Sequence, residues 1–276
     1  MKNSLVCVIL VCIVIFILIV YRQHRTFDTP PLPAMGKKIS VKPKSYSLIV
    51  ARYKENVDWL IDYKMINYLR GVDKYYKCHS PINLYLYLKS DEPLNFNEDK
   101  LQEIYDNVYI EKIKNVGMCN QSYLYHIVKN YDRLEDITFF IPGSVTNKIK
   151  LPLFEGLMEN GYKYKYYFTN IHKEDFLYDF KISNYIVTEE KNQDSENRRL
   201  ELSSIRPFGK WYEHYIKRDL NTLETNHKDT FSLHADIIRK LPLKFYKDMN
   251  TLSSKYVNSE DCHYVERMWY PLFSNL

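Results

Sequence analysis

Glycine is scarce in this chain, with 7 residues among 276. Neither G-x-G nor G-K-[ST] occurs, although a Rossmann turn and a P-loop both need glycines so that the backbone can approach phosphate. No G-x-S-x-G elbow occurs either, which argues against an α/β-hydrolase. These absences exclude the common dinucleotide, P-loop and serine-hydrolase classes.

Cysteine is also sparse, with 5 residues and no C-x-x-C spacing, so a structural zinc site is not indicated. Cys7 and Cys12 lie in an apolar N-terminal run, which leaves Cys78, Cys119 and Cys262. A lumenal domain could pair Cys119 with Cys262, or all three could be unpaired small apolar residues. The net charge of +5 is mild and no long basic run occurs, so nucleic-acid binding is not predicted.

The first positive feature is an uninterrupted apolar run, SLVCVILVCIVIFILIVY, at residues 4–21. As a helix it would be about 27 Å long, close to the hydrocarbon thickness of a bilayer. A signal peptide is the alternative, but its apolar region would usually span only ~7–15 residues and end in a small-x-small site. The run therefore predicts an uncleaved, single-pass membrane anchor.

The orientation of this anchor has two interpretations. Lys2 precedes the run, whereas Arg22, Arg25, Lys37 and Lys38 follow it, and the positive-inside rule would then keep the large domain cytoplasmic. Long domains often translocate regardless of such charges, and a short N-terminal anchor that carries an enzyme commonly places it in the lumen. We expect a lumenal or external domain.

The composition divides the chain into four parts. Residues 1–3 form a short tail and 4–21 the anchor, and 22–45 is a Pro- and Lys-rich stem without apolar periodicity. Residues 46–276 are enough for one substantial core, so we expect a single domain there.

Strand and helix patterns alternate in this domain. The predicted strands are YSLIVARY (46–53), INLYLYL (82–88), NVYIEKI (107–113) and ITFFI (137–141). Helical patterns span 57–69, 121–130, 237–252 and 259–273. Such alternation predicts an α/β fold with a single, mainly parallel sheet flanked by helices.

Three parts of the chain follow one known pattern in order. They are ARYKENVDWL (51–60), NVGMCNQSYLYHIVKNYDRLEDITFFIPG (115–143), and FSLHADIIRKLPLKFYKDM (231–249) with HYVERMWYPLF (263–273). Together they resemble the family called domain of unknown function 3431, which fungi and some large DNA viruses carry without an assigned activity. The chain departs from that pattern at Met118, Cys119 and Pro142, where the family has Arg, Glu and Gln.

The family in turn resembles single-domain nucleotide-sugar glycosyltransferases of the A-like fold. The likeness lies in the late segment that returns to the sheet and in the terminal Glu-Arg-aromatic helix. It implies a nucleotide-sugar or other phosphate-bearing small molecule as ligand, and Mg²⁺ or Mn²⁺ as a cofactor. Such enzymes usually hold the metal with Asp-x-Asp, which this chain lacks. Asp91, after the strand INLYLYL, is the nearest substitute, although an acidic turn before Pro93 also explains it.

The terminal helix carries the candidate catalytic residues. His263, Glu266 and Arg267 recur at three- and four-residue spacing, so they share a face. Glu266 could act as a general base for a sugar hydroxyl, while His263 or Arg267 steadies a leaving phosphate. The alternative is that Glu266 and Arg267 form hydrogen bonds that dock the helix.

Residues around two loops are candidates for substrate binding. Gly117 is expected to take a backbone conformation that other residues resist, so that the next helix presents free N–H groups to an anion. Asn115 and Gly143 would line the same cleft, and Tyr123 and His126 follow along the helix. A structural histidine is the other interpretation of His126.

Arg52 completes the candidate binding set, because it ends a strand where α/β sites collect and could hold a phosphate bidentately. The anchor and the stem, together with what the family resemblance implies, predict a membrane-anchored glycosyltransferase-like protein. A catalytically inactive membrane or virion protein that binds a partner through the same fold is the alternative, since three polar positions of the family pattern are lost.

Overall fold

The computed structural model describes residues 32–62, 67, 80–182 and 200–276. The segment from Pro33 to Leu276 forms one compact unit. The predicted anchor at 4–21 lies outside the described residues. Within the described ranges no helix combines the length and the apolar character needed to cross a bilayer.

Eight strands form one sheet in the described residues. They are β1 (Leu32–Met35), β2 (Tyr46–Arg52), β3 (Ile82–Leu88), β4 (Asn107–Lys112), β5 (Ile137–Pro142), β6 (Tyr166–Lys173), β7 (Glu224–Asn226) and β8 (Phe231–His234). The order across the sheet is β1-β6-β8-β5-β2-β3-β4, and β7 also pairs with β6.

The sheet is mixed, with a parallel half and an antiparallel half. Strands β4, β3, β2 and β5 pair with one another in parallel. Strand β8 is antiparallel to both β5 and β6, and β7 is antiparallel to β6. The expected α/β fold is therefore confirmed, and its parallel half contains the four strands that the sequence patterns predict.

Seven α-helices connect or follow these strands in the described part of the chain. They are α1 (Asp99–Gln102), α2 (Met118–Asn130), α3 (Leu151–Asn160), α4 (Phe208–Ile216), α5 (Ala235–Ile238), α6 (Leu243–Ser253) and α7 (Glu260–Ser274). Short 3₁₀ turns lie at Asp58–Ile61, Tyr131–Arg133 and Gly161–Lys163.

The two faces of the sheet bury separate apolar clusters because side chains alternate along each strand. Ile49 and Tyr85 pack on one face with residues of α2, α4, α6 and α7. Leu48 and Leu84 pack on the other face with residues of α1, α3 and the turn at Asp58–Ile61. Helices thus cover both faces, as a largely parallel sheet requires.

One helix prediction is wrong, and another lies only partly within the described residues. The continuous helix expected at 237–252 is wrong, since the chain forms α5 and α6 with Pro242 between them. Proline lacks the N–H for a helical hydrogen bond and disfavours helical backbone at the residue before it. Of the helix expected at 57–69, the described residues show the 3₁₀ turn and helical Asn67.

Candidate functional site

The candidate site lies at the edge of the sheet where the parallel strands end. The chain passes from β2 to β3 and β4 on one side, then returns to place β5 on the other side of β2. In open α/β sheets, ligands bind outside the carboxyl ends of the strands at such a reversal. Here those ends are Arg52 of β2, Leu88 of β3 and Pro142 of β5.

An open cleft of about 580 Å³ lies at this edge. Its lining comprises Tyr53, Lys54, Lys89, Ser90, Asp91, Glu92 and Asn115. The lining joins residues that follow β2 and β3 to the bend before α2. The predicted cleft residue Asn115 therefore faces the hollow formed after the strands.

Gly117 turns the chain into α2 as expected, with φ +60° and an N–H that donates to the Tyr256 carbonyl at 2.9 Å. A Cβ at this position would come within 2.2 Å of the Ser253 carbonyl oxygen, so only glycine fits. No side chain caps the start of α2. Within the described residues its first N–H groups therefore have no helical acceptor and no side-chain cap, and they can receive an anion.

Lys89 follows β3 in phase with Tyr85 and Tyr87, and so turns towards the face that α2 covers. The side chain is 6% exposed, and its Nζ donates to the carbonyls of Val116, at 2.5 Å, and Met118. Burial lowers the pKa of Lys89 to about 8. The Lys89 ammonium is therefore mostly charged at neutral pH, and it lies in the wall of the cleft beside the start of α2.

A second lysine comes from the segment after β5. Lys150 immediately precedes α3 and reaches back, so that its Nζ donates to the Ser144 hydroxyl at 2.7 Å. Its charge opposes the rise in the pKa of both Cys119 and Asp229. Lys150 is thus close enough to influence the start of α2 and the acidic side of the site.

The charges of this region act on the pKa of the Cys119 thiol. Burial raises the pKa of its thiol well above the ordinary value, and Asp229 and Glu55 raise it further. Lys150 and Lys89 act in the opposite direction. Two lysines and two carboxylates therefore lie close enough for their charges to act on the first turn of α2. Cys119 and Cys262 are both unpaired, so the disulfide alternative does not apply.

The acidic side of the site depends on a bulge between β7 and β8. Asn226 pairs with Ile171 and Phe231 with Phe168, so the four residues 227–230 lie opposite the two residues 169–170 of β6. Lys228 and Asp229 adopt φ of 77° and 53° there. Each such non-glycine residue costs about 1–2 kcal/mol, and bulges of this kind redirect side chains near functional sites.

The bulge places Asp229 beside Glu266 of α7. Burial raises the pKa of the Asp229 carboxyl to about 7, and the Glu266 carboxylate also raises it. The Lys228 N–H, in the same bulge, donates to Glu266 Oε1 at 3.2 Å. A carboxyl that gains and loses a proton near neutral pH is suited to general acid or base chemistry.

Asn120 and Tyr123 of α2 hold Asp229 in its position beside Glu266. Asn120 Nδ2 donates to Asp229 Oδ1 at 2.9 Å, and the Tyr123 hydroxyl donates to the Asp229 carbonyl at 2.9 Å. Tyr123 is fully buried against Phe140 and Phe231. Tyr123, predicted to touch substrate, therefore positions Asp229 instead of lining the cleft itself.

Two further predicted residues lie at the strand ends but are engaged by the protein. Arg52 is 2% exposed and donates through Nε, Nη1 and Nη2 to the carbonyls of Glu55, Glu92 and Pro93. It ties together the loops after β2 and β3. Gly143 lies against the Glu55 carboxylate, since a Cβ there would be 3.1 Å from Glu55 Oε2.

The predicted trio of the terminal helix is divided by the structure. Glu266 lies beside Asp229. The buried His263, by contrast, contacts Asn258 Oδ1 through Nε2 at 3.3 Å. Burial lowers the pKa of His263 to about 4. Arg267 stacks over the Phe180 ring, with Cζ 3.6 Å from the ring centroid. Glu266 is thus the trio member placed for chemistry beside Asp229.

His126 lies inside the protein between α2 and β3. It is fully buried, its Nδ1 is 3.0 Å from the Tyr87 hydroxyl, and its ring packs edge-on against Tyr85. Burial lowers the pKa of His126 to about 3. The structural interpretation of this histidine is therefore the one that its surroundings support.

The weak metal candidate, Asp91, forms an ion pair with Lys112 on an exposed surface. Among the residues that the structure describes, no three His, Cys, Asp or Glu side chains cluster as a metal site would require. The described residues therefore do not supply the three-ligand set by which a protein alone would hold a divalent cation.

Sequence patterns missed Glu55, Lys89, Lys150 and Asp229. Glu55 is the acidic residue of the Arg-Tyr-x-Glu pattern, and Lys89 directly follows a predicted strand, so both had a signal. Asp229 had none, because its position depends on how β7 and β8 pair with β6.

Comparison with models of known protein families and with curated proteins finds no match.

Proposed function

We propose that this chain is a membrane-anchored, glycosyltransferase-like protein. It would transfer a sugar from a nucleotide-sugar donor to a hydroxyl of a glycan or protein acceptor. The anchor would be residues 4–21, with the domain lumenal or external. The carrying observation is that Asp229 lies in the bulge whose Lys228 N–H donates to Glu266, while Asn120 of α2 binds Asp229 and Lys89 binds the backbone at the start of α2.

The order of the strands supports this proposal at the level of the fold. Strand β8 returns to the sheet antiparallel beside β5, and helices α5 to α7 follow it. This late return and the terminal Glu-Arg-aromatic helix are the features on which the likeness to A-type glycosyltransferases depends. A shared fold does not establish function, so the argument for chemistry rests on the site.

The residues of the site suit the charges of sugar transfer. The acceptor hydroxyl oxygen attacks C1 of the donor sugar, and its proton passes to the Asp229–Glu266 pair. The bond from C1 to the phosphate oxygen breaks, and the nucleoside diphosphate leaves with the bonding electrons. Lysine ammonium groups and helix N–H groups stabilise the negative charge that develops on it.

The test uses the full chain, purified in detergent, and a panel of nucleotide sugars with and without Mn²⁺. We expect at least one donor to raise the unfolding temperature and to be cleaved to a nucleoside diphosphate. Asp229→Asn and Glu266→Gln should still bind that donor but release far less product. Asp248→Asn, an exposed carboxylate paired with Lys244 on α6, is the matched control and should behave as wild type.

The panel also separates the proposal from its alternative. Met118, Cys119 and Pro142 replace charged or polar residues of the family pattern, which favours a partner-binding protein without catalysis. Donor binding without cleavage, unchanged by Glu266→Gln, would support that alternative. A panel in which no donor shifts the unfolding temperature under either metal condition would reject the glycosyltransferase proposal.

A further inference from the structure

The lysine side of the site contains a buried ammonium, that of Lys89, which forms no ion pair with a carboxylate of the described residues. Lys89 is 6% exposed, and its described hydrogen bonds go to two backbone carbonyls, Val116 O and Met118 O. No carboxylate forms an ion pair with it within the described residues. A buried charge is costly unless an opposite charge compensates it. This arrangement leaves room for a negative ligand to supply the missing charge.

Two lysines lie near the start of α2, and Lys89 also lines the cleft. Lys89 comes from the end of β3 and Lys150 from the segment after β5, and the charges of both act on the Cys119 thiol. Cys119 lies in the first turn of α2, whose N–H groups have no cap. Two ammonium groups and the start of α2 thus contribute positive charge to this part of the site, which suits a ligand with more than one negative charge.

The carboxylates nearest to the two lysines are held by other groups. Glu55 is close enough to affect Lys89, but its Oε2 accepts the Tyr53 N–H at 2.7 Å and lies against Gly143. Asp229 is on the acidic side, where Asn120 and Glu266 engage it. Cys119 presents a neutral side chain to the charges of both lysines.

We propose that Lys89, Lys150 and the N-terminus of α2 bind a diphosphate directly, so that this site needs no divalent cation. The inference rests on the proposed function, because a nucleotide-sugar donor brings such a diphosphate to the cleft. It goes further by naming the groups that neutralise it. The two ammonium groups would supply the positive charge that a metal ion supplies in enzymes with an Asp-x-Asp pair.

Inorganic pyrophosphate tests the inference without any assumption about the nucleotide or the sugar. The full chain in detergent is titrated with pyrophosphate in excess EDTA, and binding is followed by calorimetry and by the unfolding temperature. We expect binding in EDTA, and a loss of about tenfold or more in affinity for Lys89→Met and for Lys150→Met. Lys244→Met, which removes an exposed lysine of α6, is the control and should bind as wild type.

A negative charge introduced at Cys119, on which both lysines act, gives an independent readout if Lys89→Met does not fold. Cys119→Asp should abolish pyrophosphate binding because its carboxylate occupies the anion's place, whereas the uncharged isostere Cys119→Asn should retain most of it. Folding of each variant is checked by circular dichroism. Equal binding by Cys119→Asp and Cys119→Asn, or by Lys150→Met and wild type, would overturn the proposal, as would binding that requires Mg²⁺ or Mn²⁺.

The outcomes for this inference and for the proposed function are distinguishable. Pyrophosphate binding that depends on the lysines, with no nucleotide sugar bound, would uphold the anion site and reject the glycosyltransferase. Donor cleavage that is insensitive to the lysine variants would do the reverse. Binding of pyrophosphate only at millimolar concentration, equally in all variants, would show non-specific attraction and reject the site.

Discussion

Trp269 of α7 donates its indole N–H to Asn120 Oδ1 of α2 at 2.6 Å, across 149 positions of sequence. This bond fixes the orientation of the Asn120 amide, since its oxygen accepts from Trp269 and its Nδ2 must then face Asp229. Both side chains are almost fully buried. The terminal helix therefore sets the geometry of the acidic pair through a residue of α2, in addition to contributing Glu266.

Asn120→Ala tests this arrangement. The substitution removes two buried hydrogen bonds and leaves the Trp269 N–H unpaired, so we expect a loss of about 2–4 kcal/mol in the free energy of unfolding by urea. The Asn120 hydrogen bond lowers the pKa of Asp229, so in the variant this pKa should rise above about 7, measured by carboxylate NMR. Asn250→Ala, which removes only a 3.4 Å bond from Gln121, should cost less than about 0.5 kcal/mol.

The parallel half of the sheet was predictable from local patterns. Each of the strands β2 to β5 is a short apolar or alternating run, and the structure places them within a residue or two of the predicted bounds. Gly117 was also predictable, because a glycine between a strand and a helix indicates a special backbone conformation. Local sequence was sufficient wherever burial follows one strand or one helix.

The acidic pair was only half predictable. Glu266 belongs to a helix face that periodicity reveals, but Asp229 owes its place to four residues lying opposite two in the pairing with β6. Strand β6 itself lies in a Tyr- and Lys-rich segment without clear alternation. Likewise, the phase of β3 fixes the face on which Lys89 lies, whereas only the fold shows that α2 begins there.

Asp229 should make stability depend on pH in a defined direction. Its pKa is raised from 3.8 to about 7, so between these values the folded state binds the proton more tightly than the unfolded state. The contribution of Asp229 to stability is thus present at low pH and is lost as the pH rises through about 7. Asp229→Asn cannot ionise, and it should gain stability relative to wild type on going from pH 5 to pH 8.

Urea unfolding at the two pH values measures this difference. Glu266→Gln should reduce the same pH dependence, because removal of its charge lowers the pKa of Asp229. Asp248→Asn on the exposed face of α6 is the control for a carboxylate outside the site. A wild-type protein and an Asp229→Asn variant with parallel pH profiles would contradict the assignment of a raised pKa to Asp229.

Gly117→Ala should be strongly destabilising. An Ala at φ +60° is strained, and its Cβ would lie 2.2 Å from the Ser253 carbonyl oxygen, so we expect a loss of more than about 2 kcal/mol in unfolding free energy. Gly156→Ala is the matched control. Gly156 lies within α3, and the nearest atom to its added Cβ is the Tyr167 hydroxyl at 3.9 Å, so this change should stabilise the protein by about 0.5–1 kcal/mol.

Arg52→Lys distinguishes a structural role of this arginine from a ligand-binding role. Its guanidinium donates to carbonyls of two different loops, and an ammonium at the same position cannot reproduce that planar fork. Arg52→Lys should therefore lower the free energy of unfolding by about 2–3 kcal/mol. The folded fraction should bind pyrophosphate almost as tightly as wild type, because the Arg52 donors are already engaged.

Arg239→Lys is the matched control, since Arg239 also donates to two carbonyls but is exposed and makes longer bonds of 3.3 and 3.4 Å. It should change stability by less than about 0.5 kcal/mol. The reverse result for Arg52→Lys, unchanged unfolding together with weakened pyrophosphate binding, would make Arg52 a phosphate ligand. The anion site would then extend from the start of α2 to the end of β2, and the loops after β2 and β3 would need another explanation for their fixed positions.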